Sequence, residues 1–154
     1  MPRNERNFEI MIKILFVCHG NICRSTMAES VFTYLINQRG LSDYFEIDSA
    51  ATSREEIGNP PHYGTVTKLR QVGIPVVPHR SRQMTTADYE YYDYLIGMDS
   101  ANIRNMNRIA GGDPDGRFTS CHLLRDVSET SQTLGIQANL KLPTAIFTRV
   151  ANNF

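Results

Sequence analysis

One short stretch constrains the fold more than any other: the apolar run Ile12-Lys13-Ile14-Leu15-Phe16-Val17 stops at Cys18-His19-Gly20-Asn21-Ile22-Cys23-Arg24-Ser25. A β-rich run with almost no polar alternation is one buried on both faces, which is how a central parallel strand reads. Beyond the polar octet, Met27, Val31, Tyr34 and Leu35 recur at helical spacing up to residue 38, and Gly40 supplies a helix-ending glycine. The octet therefore joins a buried strand to the N-terminus of a helix.

The same rhythm continues. Residues 45–50 alternate as a second strand, Asn59-Pro60-Pro61 marks a turn, and residues 65–71 form an amphipathic run closed by Gly73. Residues 94–98 read as a third strand and 100–109 as a further helix, stopped by Gly111-Gly112-Asp113-Pro114. Residues 118–124 offer a last strand, while 137–150 mix signals around Pro143. The tyrosines at 89, 91, 92 and 94 fit a half-exposed junction between helix and strand. Strands alternating with helices imply right-handed crossovers. The fold class expected is α/β, a doubly wound, mainly parallel four-stranded sheet with helices on both faces.

Composition narrows the function classes. At 154 residues the chain fits one core, and residues 11–154 are expected to form a single domain. Residues 1–10 are polar, precede Met11 and are expected to be a disordered extension. They lack the apolar core of an export signal, so a cytoplasmic location is the default expectation. No stretch approaches the roughly 20 apolar residues of a membrane span. Sixteen basic residues balance sixteen acidic ones, so no global field favours nucleic acid or a membrane surface. Three cysteines are an odd number, which suits free thiols better than a disulfide framework.

The loop itself suggests chemistry. A strand-to-helix junction presents unpaired backbone N–H groups and the positive end of a helix dipole, and so suits an anion. Gly20 is expected to supply backbone freedom, so that N–H groups from His19, Gly20, Asn21, Ile22, Cys23 and Arg24 ring a phosphoryl group. Arg24 adds a planar fork for two of its oxygens. The same field favours the thiolate of Cys18, which makes it the expected nucleophile. Ser25 is placed to donate a hydrogen bond to that sulfur. Fixed N–H dipoles and Arg24 meet the charge of phosphoryl transfer, so neither metal nor cofactor is expected. His19, His62 and His122 lack partners at metal-ligand spacing. No nucleotide-binding glycine motif occurs.

At these residues the sequence resembles the low-molecular-weight protein tyrosine phosphatases, whose loop reads Val-Cys-x-Gly-Asn-x-Cys-Arg-Ser-Pro. Residues 17–25 match throughout, and Thr26 stands at the proline position. The likeness runs from residue 12 to about 117 through Asp48-Ser49-Ala50, Gly58-Asn59-Pro60-Pro61, His79-x-Ser81-Arg82 and Met98-Asp99. It implies hydrolysis of a phosphotyrosine-containing protein or a small aryl phosphate through a phosphocysteine. It also implies that Asn21 is held by Ser25, Ser49 and His79, and that Glu55 and Glu56 stand at the rim of the cleft.

The family finishes its reaction with an aspartic acid in an Asp-Pro-aromatic loop. No such triplet lies downstream of Met98-Asp99; Asp113-Pro114 falls in a turn, and Asp126 and Glu129 are the nearest carboxylates to the expected position. The general acid is therefore left unassigned, Asp126 being the one residue weighed for the role, and without it turnover is expected to be impaired. The residues from about 117 do not match the family, as a shifted reading frame would produce. Two alternatives follow: a relative that binds phosphate or phosphotyrosine with little turnover, and an arsenate reductase. The second needs two further relay cysteines, and residues 24–120 contain none. Cys23 reads either as a small packing residue or as a reversible disulfide partner protecting Cys18. Cys121 reads as a buried inert thiol, and Asp99 as a helix cap or a group orienting a loop residue.

Overall fold

In the computed structural model, which describes residues 11–120, the apolar run becomes β1 (Ile12–Cys18). Cys121, His122, Asp126 and Glu129 lie outside the described residues, as do the N-terminal ten residues and the tail beyond 120. β1 is followed by α1 (Arg24–Gln38), β2 (Phe45–Ala51), α2 (Tyr63–Gln71), α3 (Thr86–Tyr91), β3 (Tyr94–Gly97), α4 (Ser100–Ala110) and β4 (Phe118–Ser120). The strands are ordered β2-β1-β3-β4, and every pairing is parallel.

Alternation along β1 divides the core. Ile12, Ile14, Phe16 and Cys18 face one way, against Ala28, Phe32 and Ile36 of α1. Leu15 and Val17 face the other, against Met84, Tyr89, Tyr92 and Met106. Thus α1 covers one face, with α2 docked on it through Val31, Leu69 and Ile74, while α3 and α4 cover the other. Phe32 is gripped edge-on by Phe16 and Phe45, with ring centroids 5.9 and 5.4 Å away. Each such buried ring contributes about 1.5–3 kcal/mol.

α1 begins three residues earlier than the helical spacing indicated. Arg24 and Ser25 lie in its first turn, and Thr26 donates from Oγ1 to the carbonyl of Cys23 at 3.0 Å. α3 is too short to show periodicity. Its signal is a capping box, in which the backbone N–H of Thr85 donates to Asp88 Oδ2 at 2.8 Å.

The strand order places the working end. From β1 the chain goes to β2 on one side, then crosses to β3 on the other. In such sheets ligands bind beyond the carboxyl ends of the strands, where the direction reverses. The loop after β1 and the Met98-Asp99 turn after β3 both open there.

Candidate active site

The loop between β1 and α1 is suspended by its carbonyl groups. Cys18 O accepts from Thr52 N (2.9 Å), His19 O from Ser53 N (3.0 Å) and Ile22 O from His62 N (2.7 Å). Gly20 O accepts from Ser81 Oγ at 2.8 Å. In a planar trans peptide the next N–H points opposite to each carbonyl. Carbonyls tied outward to the scaffold therefore turn the N–H groups of His19, Gly20, Asn21 and Cys23 into the loop, as an anion nest requires.

Cys18 lies at the base, 3% exposed. Its Sγ receives the backbone N–H of Asn21 at 3.2 Å and lies 3.0 Å from Ser25 Oγ. Ser25 Oγ already accepts from Asn21 Nδ2 at 2.8 Å, so its own hydrogen is free to donate to the sulfur. Two polar neighbours thus converge on the one sulfur. Both Cys18 and Cys23 are free thiols. Cys23 is the exposed N-cap residue of α1, which corrects its reading as a packing residue.

The expected role of Gly20 falls instead to its neighbour. Asn21 has φ of 57°, the one non-glycine residue in the left-handed region among the described residues, whereas the φ of Gly20 lies outside that region. A Cβ on Gly20 would come within 3.3 Å of Glu56 Cγ, so glycine there provides close approach. Left-handed backbone costs roughly 1–2 kcal/mol outside glycine and somewhat less for asparagine. Asn21 is fully buried, and its side chain holds that conformation. Its Oδ1 accepts from His79 Nε2 at 2.7 Å and from Arg82 N at 3.3 Å, while Nδ2 donates to Ser25.

Ser49 joins this network one step further out than expected. It lies 3.2 Å from His79 Nε2 and donates to Glu29 Oε1 at 2.6 Å, without a bond to Asn21. His79 Nδ1 faces Glu29 Oε1 at 3.6 Å and Asp48 Oδ1 at 3.5 Å. Glu29 is the residue that sequence reasoning missed. It sits one turn after Ser25 on the stripe that carries Phe32 and Ile36 into the core, and a carboxylate on such a stripe is the signal that reveals it. Burial raises its pKa to about 7, against the pull of the Ser49 hydroxyl. Burial lowers that of His79, with Asp48 opposing.

The groups of Glu29, Asp48 and His79 lie within 4.8 Å of one another, close enough to share a metal ion. Each already has a protein partner. Glu29 accepts from Ser49, His79 engages Asn21, and Asp48 Oδ2 takes Nε and Nη2 of Arg82 at 3.2 and 3.1 Å.

Arg24 reaches across the mouth to Asp99, with 2.5 Å between Nη1 and Oδ2. The other oxygen of Asp99 caps α4 through Asn102 N at 2.8 Å, so both sequence readings of Asp99 hold. Burial pushes the Asp99 carboxyl up, but the bonds from Arg24 and the helix N–H groups outweigh it and hold it below the usual range. On the other side of the mouth, His19 Nε2 meets Glu55 Oε2 at 3.0 Å, with both side chains more than half exposed. Glu56 packs beside them and accepts from Asn59 Nδ2 at 2.6 Å. Ile22 is half-buried.

Comparison with known proteins agrees with this geometry. The family model described as low molecular weight phosphotyrosine protein phosphatase matches residues 13–152. The human protein of that name is 47% identical over 95 residues, covering 62% of this chain and 60% of its own. The YfkJ phosphatase of Bacillus subtilis is 46% identical over 101 residues, covering 66% and 65%. The chain thus spans about 60–65% of the length of the curated relatives it matches. The crystal structure of YfkJ superposes with a TM-score of 0.75 at 34% identity, covering 90% of this chain and 96% of that one. That of the Streptococcus pyogenes low molecular weight phosphatase does so at 0.70, also at 34% identity, covering 90% and 99%. With a parallel sheet, a suspended anion loop and a family model spanning most of its length, the chain belongs to the low molecular weight phosphotyrosine protein phosphatase family.

Proposed function

We propose that this chain is a protein tyrosine phosphatase that hydrolyses phosphomonoesters through a phosphocysteine. The observation that carries the reading is the environment of Cys18 Sγ, which has the Asn21 N–H and the Ser25 hydroxyl as its neighbours at the base of an N–H nest. In the first step the Sγ–P bond forms and the ester P–O bond breaks. In the second, water attacks phosphorus and the Sγ–P bond breaks, with Ser25 and the Asn21 N–H stabilising the departing thiolate. The N–H groups of residues 19–24 and the guanidinium of Arg24 hold the phosphoryl oxygens. Asn21, His79 and Ser49 keep the loop in its strained form, and Glu55 and Glu56 line the rim.

The substrates are phosphotyrosine-containing proteins or small aryl phosphates. A nucleophile that must stay a reduced thiol suits the cytoplasm. Among the described residues no helix is long and apolar enough to cross a membrane.

Hydrolysis of p-nitrophenyl phosphate by the protein and by Cys18→Ser tests the reading. Loss of turnover in the variant, with phosphate still bound, is the expected result. Equal rates in the two proteins reject it, and phosphate binding by a parent without turnover identifies a binding relative instead.

A further inference from the structure

A phenolate of ordinary basicity leaves slowly unless it is protonated as the P–O bond breaks, so the site needs a proton donor at its mouth. Among the described residues, most ionisable groups around the loop are already committed. Asp99 is bonded to Arg24 and caps α4, and its carboxyl is held in the anionic form. Glu29 and His79 lie behind Asn21, with side chains only 5% and 8% exposed. Glu56 is bonded to Asn59. Of the described residues His19 remains: it directly follows the nucleophile in sequence, its side chain is 54% exposed, and its ring is tied by one nitrogen to Glu55.

We propose that His19, oriented by Glu55, is the proton donor and acceptor of this site. The proposal rests on the phosphatase reading and adds a catalytic residue to it. Imidazole is the side chain most often used for such transfers, and a carboxylate on one ring nitrogen fixes the tautomer and orients the other. Nε2 lies 3.0 Å from Glu55 Oε2, and in the proposed cycle Nδ1 is the nitrogen that carries the proton for the substrate.

The balance closes without a co-reactant. As Cys18 Sγ bonds to phosphorus, the ester oxygen takes the P–O electron pair and the Nδ1 proton. The phenol leaves neutral, and His19 is left as neutral imidazole. Water then attacks the phosphocysteine and passes one proton to Nδ1. The Sγ–P electron pair returns to sulfur, inorganic phosphate departs, and both thiolate and imidazolium are restored.

The contact of His19 with Glu55 depends on the backbone. His19 O and Ser53 N are hydrogen-bonded, extending the β1–β2 pairing past the strand ends, and Glu55 N follows with a bond to Ser53 Oγ at 3.4 Å. The turn that carries Glu55 is thereby held beside the loop that carries His19.

The test is the dependence of rate on leaving-group acidity, measured on the full chain with 2,4-dinitrophenyl, p-nitrophenyl and phenyl phosphates. The parent should show a shallow dependence. His19→Gln should lose on the order of 100-fold on phenyl phosphate and little on the dinitrophenyl ester, which needs no proton. Glu55→Gln should lose less, in the same pattern. Unchanged inhibition by inorganic phosphate in both variants shows that the loop is intact. Two results overturn the proposal: an equal loss on all three esters in both variants, or a steepened dependence in Asp126→Asn with none in the His19 and Glu55 variants. Failure of the phosphatase reading looks different, because turnover of p-nitrophenyl phosphate then survives Cys18→Ser.

Discussion

Arg24 is tied to Asp99 across the mouth of the loop, 2.5 Å from Nη1 to Oδ2, so the residue proposed to hold a phosphoryl group is anchored by one edge. A single N–H bond leaves the rest of the guanidinium fork free. A tethered arginine has also given up part of the roughly 2 kcal/mol of rotamer freedom that ordering such a side chain costs. Asp99→Asn keeps the cap on α4 and loosens the tether. It should weaken competitive inhibition by inorganic phosphate about fivefold, the equivalent of about 1 kcal/mol. Inhibition that is unchanged or tighter would show that Asp99 competes for Arg24 rather than positioning it.

The side-chain bonds of Asn21 and its left-handed backbone can be separated by two substitutions. Asn21→Gly keeps φ of 57° available but leaves Ser25 and His79 without their shared partner. Asn21→Ala removes the same bonds and adds strain of roughly 1–2 kcal/mol. Both should lower kcat by about 10–100-fold, as expected when a positioned nucleophile loosens. In denaturant titrations Ala should be the less stable by roughly that strain. Equal stabilities would mean that the loop relaxes out of the left-handed region.

Much of this was legible in the sequence, and what was hidden has a physical cause. The strand Ile12–Cys18 and its loop could be read because burial on both faces removes polar residues and because the helix dipole gives the octet a chemical purpose. Glu29, Asp48 and Arg82 could not. Each is a charged residue with a partner far along the chain, 34 positions apart for Arg82 and Asp48. In sequence such residues look like solvated surface. Gly20 and Asn21 exchanged roles because a glycine signals either backbone freedom or close approach, and only the position of Glu56 decides between them.

Glu29 makes stability depend on pH in a direction unusual for a carboxylate. Its pKa is raised from 4.5 to about 7 by burial, so the native state binds its proton more tightly than the unfolded chain does. The linked stability is complete below about pH 4.5 and is lost as pH rises through about 7, by roughly 3 kcal/mol at about 1.4 kcal/mol per unit. Glu29→Gln keeps an acceptor for Ser49 and cannot ionise. Urea midpoints measured from pH 5 to 8 should therefore fall more in the parent than in the variant. Parallel curves would mean that Glu29 ionises in the native state as it does in the unfolded chain.

Arg82 links β2 to α3 through a fork that no lysine reproduces. Nε and Nη2 reach Asp48 Oδ2, while Nη1 and Nη2 reach Asp88 at 2.9 and 3.2 Å. Asp88 is 9% exposed and also completes the capping box of α3, so it tolerates loss of its cation poorly. Arg82→Lys offers one point charge to two carboxylates and leaves one of them short of a partner. Breaking a fully buried pair costs about 3–5 kcal/mol, and partial exposure of Arg82 and Asp48 reduces the expected loss to about 1–2 kcal/mol. The backbone N–H of Arg82 still reaches Asn21 in the variant, so kcat should change little while the denaturation midpoint falls. A variant as stable as the parent, with kcat sharply reduced, would instead tie the guanidinium to the chemistry through Asp48 and His79.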